Sequence, residues 1–201
     1  MRRTTWTVAL AVLAAGAWAS GAAAQNLVSN GDFDANTNGW TRLVGSAMTW
    51  NATDEAGCTG SGSADVTAAN TGATFDAALS QCVPLSGGGT LSARVRYRQP
   101  GTLTLRFDFS SLANCAGGQL TTVSATAPAS PATFSDAVIN NAAVPGNAQA
   151  VLVTISASHS APYHLLTDQV LVSRRRPLFF DNFQGDVSGE HHPCRWSTTT
   201  F

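Results

Sequence analysis

The sequence predicts an all-β protein, an antiparallel jelly-roll β-sandwich, on three observations. Residues 25–173 are dominated by Thr, Ser, Val, Ala and Gly and hold no long run at helical period. Two stretches alternate apolar and polar side chains, the pattern of a strand with one buried and one wet face. Short strand-like segments are separated at regular intervals by turn formers such as "SGGG" and "AVPGNAQ".

The elements follow in order. Residues 1–24 place Arg2 and Arg3 ahead of an apolar run from Val8 to Trp18 and end in Ala22-Ala23-Ala24. That is the layout of a secretory signal peptide; the run is short of the ~20 residues a membrane span needs. Export is the expectation, to the medium, the periplasm or the cell surface. Strands are expected at 27–29, 41–50, 63–68 and 74–85. In "TLSARVRYR", Leu91, Ala93, Val95 and Tyr97 share one face, and Ser92, Arg94, Arg96 and Arg98 the other. "TLTLRFDF" repeats this, with Leu103, Leu105, Phe107 and Phe109 opposite Thr104, Arg106 and Asp108. Pro100-Gly101 between them reads as a hairpin turn. Further strands are expected at 120–126, 133–139, 150–157 and 163–172. Residues 25–173 thus form one domain, and 174–201 a linker and tail that begins Arg174-Arg175-Arg176-Pro177.

Charge and cysteine content narrow the partners. All eleven basic residues are arginine, and without Arg2 and Arg3 the chain carries nine against twelve acids. Such a balance gives no support to a nucleic-acid or anionic-membrane partner. Cys58, Cys82, Cys115 and Cys194 are even in number in an exported chain, so disulfides are expected over a zinc site, which would want a Cys-x-x-Cys pair. Four cysteines allow three pairings. Cys58 and Cys82 flank a strand-like segment whose closure would add roughly 3 kcal/mol, which favours Cys58–Cys82 and leaves Cys115–Cys194.

"LVSNGDFDANTNGW" opens the domain, and "VPGNAQAVLVTISA" and "YHLLTDQVLVS" close it. These segments resemble carbohydrate-binding modules with the galactose-binding-domain-like jelly roll, of the kind appended to cellulases and xylanases. Such modules open with Asn-Gly-x-Phe-Glu and a Gly-Trp, and close on an Asp-containing last strand. The resemblance implies a structural calcium ion held by Asp34 and Asp168, with Asp32 a weaker candidate; this copy has Asp34 in place of Glu and Gln169 in place of a second Asp. Two carboxylates with loop carbonyls suit calcium, while the alternative is that Asp32 and Asp34 hydrogen-bond turn backbone. Phe33 and Trp40 are read as core. Sugar binding needs exposed aromatic faces beside planar hydrogen-bonding groups. The candidates are Trp50, Arg94, Arg96, Arg106, Asp108 and Tyr163, on one wet sheet face whose clustered arginines favour an acidic polysaccharide.

Catalysis is not expected. No nucleophile elbow or metalloprotease spacing is present, and His159, His164 and Asp168 are linked only by sequence proximity. The tail resembles a short pattern of exported proteobacterial proteins through Phe179, Asp181, Phe183, Gly185, Asp186, Trp196 and Ser197. The sequence therefore points to a secreted, non-catalytic glycan-binding module. The alternative is an extracytoplasmic structural or adhesive protein that keeps the fold without sugar binding.

Overall fold

Alternation of side chains does turn this sequence into strands, and a computed structural model shows how they assemble. It describes residues 26–55, 57 and 61–174; the signal segment, the tail with its motif, Cys58 and Cys194 lie outside them. The described residues form eleven strands: β1 (Thr41–Arg42), β2 (Ala47–Asn51), β3 (Ser63–Thr67), β4 (Ala69–Asn70), β5 (Phe75–Pro84), β6 (Gly89–Gln99), β7 (Thr102–Ser110), β8 (Gln119–Ala127), β9 (Ser130–Val144), β10 (Ala150–His159) and β11 (His164–Ser173). They build two antiparallel sheets. One is six-stranded in the order β1-β5-β10-β7-β8 with β4 also on β5, and the other is five-stranded in the order β2-β3-β11-β6-β9. The protein is an all-β sandwich, as the sequence predicts.

The inward-facing residues of the two alternating segments fill the space between the sheets. Leu91, Val95, Tyr97, Leu103, Leu105, Phe107 and Phe109 are all fully buried. Each such Leu or Phe contributes about 1.5–3 kcal/mol when removed from water. The two segments are nevertheless not a hairpin. β6 pairs with β11 and β9, whereas β7 pairs with β10 and β8. The turn at Pro100-Gly101 carries the chain from one sheet to the other, and the Gln99 side chain holds both backbone groups of Gly101. A Cβ on Gly101 would lie 2.3 Å from the Ser158 carbonyl, so the crossing needs glycine there.

Two other expectations are corrected by hydrogen bonds outside the strand ladders. The single strand expected at 41–50 is broken by a turn in which Ser46 N and Oγ both donate to the Leu43 carbonyl, so β1 and β2 join different sheets. Residues 27–29 run along β11 without becoming a strand. Leu27 N does donate to the Val172 carbonyl, but the Asn26 side chain takes Val172 N and the Val170 carbonyl, and Ser29 N turns to Gln81 Oε1. In addition, β11 carries a bulge against β6 between Asp168 and Leu171, with Gln169 at φ 44°. The extra residue reverses the alternation, so that Leu165 and Thr167 before it, and Val170 and Val172 after it, all point inward.

The expected disulfides are also overturned. Cys82 is joined to Cys115, not to Cys58. Cys82 sits on the outer side of β5, and the connection between β7 and β8 reaches back over β10 to meet it; Leu152 of β10 is in register with both Cys82 and Asp108. Since Cys115 is taken, a Cys115–Cys194 bridge is excluded as well.

Candidate functional site

The arginines that alternation puts on one wet face occupy opposite sides of the molecule. Arg94 and Arg96 belong to the outer face of the five-stranded sheet, and Arg106 and Asp108 to that of the six-stranded sheet. The reason is the crossing at Gly101: alternation reports inside or outside, never which sheet.

On the five-stranded face the arginines are already neutralised. Arg94 makes a two-pronged contact with Asp136 at 3.0 and 3.1 Å. Arg96 meets Glu55 at 2.6 Å and Asp136 at 3.4 Å, and Arg98 lies over the Phe134 ring, 5.6 Å from its centroid. Glu55 belongs to the connection between β2 and β3, which thereby lies against this face. Trp50 is not beside these arginines. It is in register with the buried Ala64, at the inner side of the sheet edge, and its Nε1 donates to the Phe33 carbonyl at 2.6 Å. A Cβ on Gly62 would come within 2.7 Å of the Trp50 ring, so glycine permits that packing. Trp50 keeps 37% exposure at that edge, whereas Tyr163 is removed from the surface: it is 7% exposed and its hydroxyl accepts from Ala77 N. Burial pushes its phenol up to about 12, against the hydrogen bond from Ala77.

The segment around Asp32 and Asp34 folds about Phe33. Phe33 is fully buried in the left-handed region at φ 48°, packed on Trp40 with ring centroids 5.6 Å apart. Both aromatics are core, as expected. Asp32 is exposed. Asp34 has one carboxylate oxygen, Oδ1, buried without a hydrogen-bond partner; burial raises its pKa, a hydrogen bond from Ser61 opposes that, and the charge of Asp54 adds to it. Asp168 is 1% exposed and accepts from Glu55 N and Gln169 N at 3.1 and 2.7 Å. Burial, opposed by those two bonds and assisted by Asp54 and Glu55, pushes it up to about 7. Both carboxylates thus feel Asp54, and the orphaned Asp34 oxygen suits a hard cation in kind. Among the described residues no three His, Cys, Asp or Glu side chains form a group that could hold a metal, so backbone carbonyls would have to complete such a site.

The histidines do not converge on Asp168. His164 Nδ1 lies 2.7 Å from Asp65, and His159 packs edge-on against Tyr163.

The six-stranded sheet presents a different surface. Thr41, Ser80, Thr154, Arg106 and Ser124 are in register across β1, β5, β10, β7 and β8. The neighbouring row runs Ala78, Ser156, Thr104 and Thr126, and the next Asp76, Ser158 and Thr102. These outward side chains are small or hydroxylated, so the surface between the taller ends is hollow. One cavity of about 310 Å³ is lined by Arg106, Asp108, Gln119, Thr122 and Cys115; another of about 480 Å³ by Asp76, Ala78, Thr104, Ser156 and Leu43. Sequence reasoning named Arg106 and Asp108 on this face but missed its serines and threonines, because hydroxyl-bearing strands look the same wherever the sheet places them.

No protein-family model and no curated protein matches the sequence. The fold is similar to solved structures. The enzymatically active domain of bacteriophage CBA120 tailspike protein 4 aligns with a TM-score of 0.59 at 16% identity, over 74% of this chain and 21% of that one. TmCBM61 in complex with β-1,4-galactotriose aligns at 0.50 and 15%, over 75% and 99%. The CBM22-1 xylan-binding domain from Paenibacillus barcinonensis Xyn10C aligns at 0.52 and 18%, over 75% and 95%. The chain therefore spans nearly the whole of the two binding modules and about a fifth of the tailspike chain; at these identities the likeness is one of fold.

Proposed function

We propose that this chain is an exported, non-catalytic sandwich that binds glycans on the outer face of its six-stranded sheet. The observation that carries the reading is that face itself: two hollows on an uncapped sheet, the larger floored by the in-register hydroxyls of Thr102, Thr104, Ser156 and Ser158, with planar charged groups at either end. Hydroxyls and a guanidinium are the partners sugar hydroxyls require, and a glycan of several residues fits an elongated surface better than a closed pocket. Two fold neighbours that this chain nearly spans are a galactotriose-bound and a xylan-binding module, which supports a glycan ligand. The candidate site thus moves from Trp50, Arg94, Arg96 and Tyr163 to Arg106 and Asp108 with their hydroxyl neighbours. A glycan array on the secreted protein tests it: binding that is lost in Thr104→Trp, which fills the hollow, supports the face. Binding that survives this substitution places the ligand elsewhere.

The structural or adhesive alternative is favoured by one observation. Along β5, β10, β7 and β8 the outward positions hold no aromatic ring on which a sugar could stack. A silent array would establish that reading.

Calcium belongs to the proposal as a structural ion at the opposite sheet, with Asp34 and Asp168 as its side-chain ligands. When bound it would supply the positive counter-charge that these desolvated carboxylates lack. Calcium at a hundredfold excess over its Kd should stabilise the fold by about 2.7 kcal/mol. Chelator should lower Tm in the parent and leave Asp34→Ala unchanged. Coincident melting curves with calcium and with chelator would exclude the ion.

A further inference from the structure

Arg106 is held in a way that leaves the outer end of its guanidinium open. Its Nε lies 2.8 Å from Asp108 Oδ2, an ion pair along the strand. Asp108 Oδ1 accepts from the Thr122 hydroxyl at 2.7 Å, and Thr122 in turn accepts from Gln119 Nε2 at 2.8 Å. The relay fixes Asp108, and Asp108 fixes the arginine by its inner nitrogen. The Arg106 side chain is 47% exposed beside the 310 Å³ hollow, and its two Nη nitrogens donate no hydrogen bond among the described residues. A guanidinium so oriented offers two parallel N–H groups, the geometry that matches a carboxylate.

The far end of the same face carries the opposite charge. Asp76 accepts from the hydroxyls of Thr71 and Thr74 and is hydrogen-bonded by Ser158, which together hold its carboxyl below the usual range and keep it ionised. In register, Asp76 is two strands and four residues from Arg106, roughly 10 Å across and 13 Å along the sheet. Between them the floor is Ala78, Ser80, Thr104, Thr154 and Ser156, without charge.

We infer that the face selects a glycan of mixed charge: a single uronic-acid carboxylate seated on Arg106, with neutral sugar residues extending over the hydroxyl floor toward Asp76. A homopolymer of uronic acid running the same path would set a carboxylate against Asp76, while a wholly neutral chain leaves the Arg106 fork to weaker hydroxyl contacts. The inference rests on the glycan-binding reading of this face and adds the charge of the ligand. It also replaces the acidic polysaccharide expected from clustered arginines, because Arg94 and Arg96 are spent on Asp136 and Glu55.

The test is calorimetric titration against matched oligosaccharide pairs. The probes are xylan, galactan, mannan and glucan oligomers, each neutral or bearing one glucuronyl branch, with hexagalacturonate and free glucuronate alongside. The branched member of at least one pair should bind about tenfold tighter than its neutral partner, the worth of one charge-assisted fork on a half-exposed surface. Hexagalacturonate should be weaker than the branched oligomer, and free glucuronate weaker still. Arg106→Gln should bring the ratio within the pair to about one, and Asp76→Asn should raise affinity for hexagalacturonate. Equal binding within every pair, or a ratio that survives Arg106→Gln, overturns the charge assignment while leaving glycan binding in place. Failure of every oligosaccharide to bind overturns both.

Discussion

The two outer faces of this sandwich start from the same kind of strand and end differently. β6 offers Arg94, Arg96 and Arg98 to one side, and β7 offers Thr104, Arg106 and Asp108 to the other. On the five-stranded face, neighbouring elements supply Asp136, Glu55 and Phe134, and the side chains of Arg94 and Arg96 are only 14% and 16% exposed. On the six-stranded face, the positions of β10 and β5 in register with Arg106 are Thr154 and Ser80, and Arg106 remains half exposed with Asp108 of its own strand as ion-pair partner. A charged strand is therefore left open to solvent or built into a structural seam according to what the adjacent strands bring. Partly buried ion pairs hold loops in place, whereas a half-exposed arginine with a single carboxylate partner keeps part of its guanidinium in solvent.

Breaking this contrast should separate stability from binding. The largest effect belongs to the Cys82–Cys115 bridge, which walls one hollow and joins residues 33 apart. The Cys82→Ala/Cys115→Ala variant should lose about 3–4 kcal/mol in urea denaturation, as chain entropy returns to the unfolded state. Non-reducing peptide mapping should recover Cys82 with Cys115; a Cys58–Cys82 peptide would contradict the geometry.

Next comes Arg96→Ala, which strands Glu55 beside Asp168 and Asp54. A loss of about 2–3 kcal/mol is expected, with an unaltered glycan-array profile. Should stability hold and binding vanish, the five-stranded face would be the site after all.

Tyr163 sharpens the boundary between core and surface. The unfolded phenol ionises near pH 10 while the native one stays protonated to about 12, so the native state binds more protons in that window. Stability should fall as pH rises from 10 to 12, by on the order of 2 kcal/mol, and Tyr163→Phe should flatten the slope. A surface-exposed sugar platform would show no such slope.

The smallest effect is at Arg94, whose partner Asp136 is 41% exposed and also serves Arg96. Arg94→Ala should cost less than about 1 kcal/mol by thermal melting.

Much of the architecture was legible before any coordinates. Residue-by-residue alternation told Leu91, Val95, Leu103 and Phe107 from Arg94, Arg96 and Arg106, because side chains two apart must share a face whatever sheet they enter. The same holds for Phe33 and Trp40, whose apolar bulk in a polar stretch has no stable place but the interior. Tyr163 was misread as a surface residue, since its burial and the bond from Ala77 come from a strand distant in sequence, while Trp50 is 37% exposed but stands apart from the arginines.

What the sequence by itself determined is thus local: strand identity, the inward set, and the all-β sandwich that such strands must form to bury it. Tertiary structure alone decided which arginine met an acid, which cysteine met Cys82, and which of the two faces stayed open. Those outcomes depend on strand order and register across residues tens of positions apart. Gly101 sends β7 to the opposite sheet from β6, and the bulge at Gln169 resets the inward face of β11; neither turn announces its destination in the residues that make it.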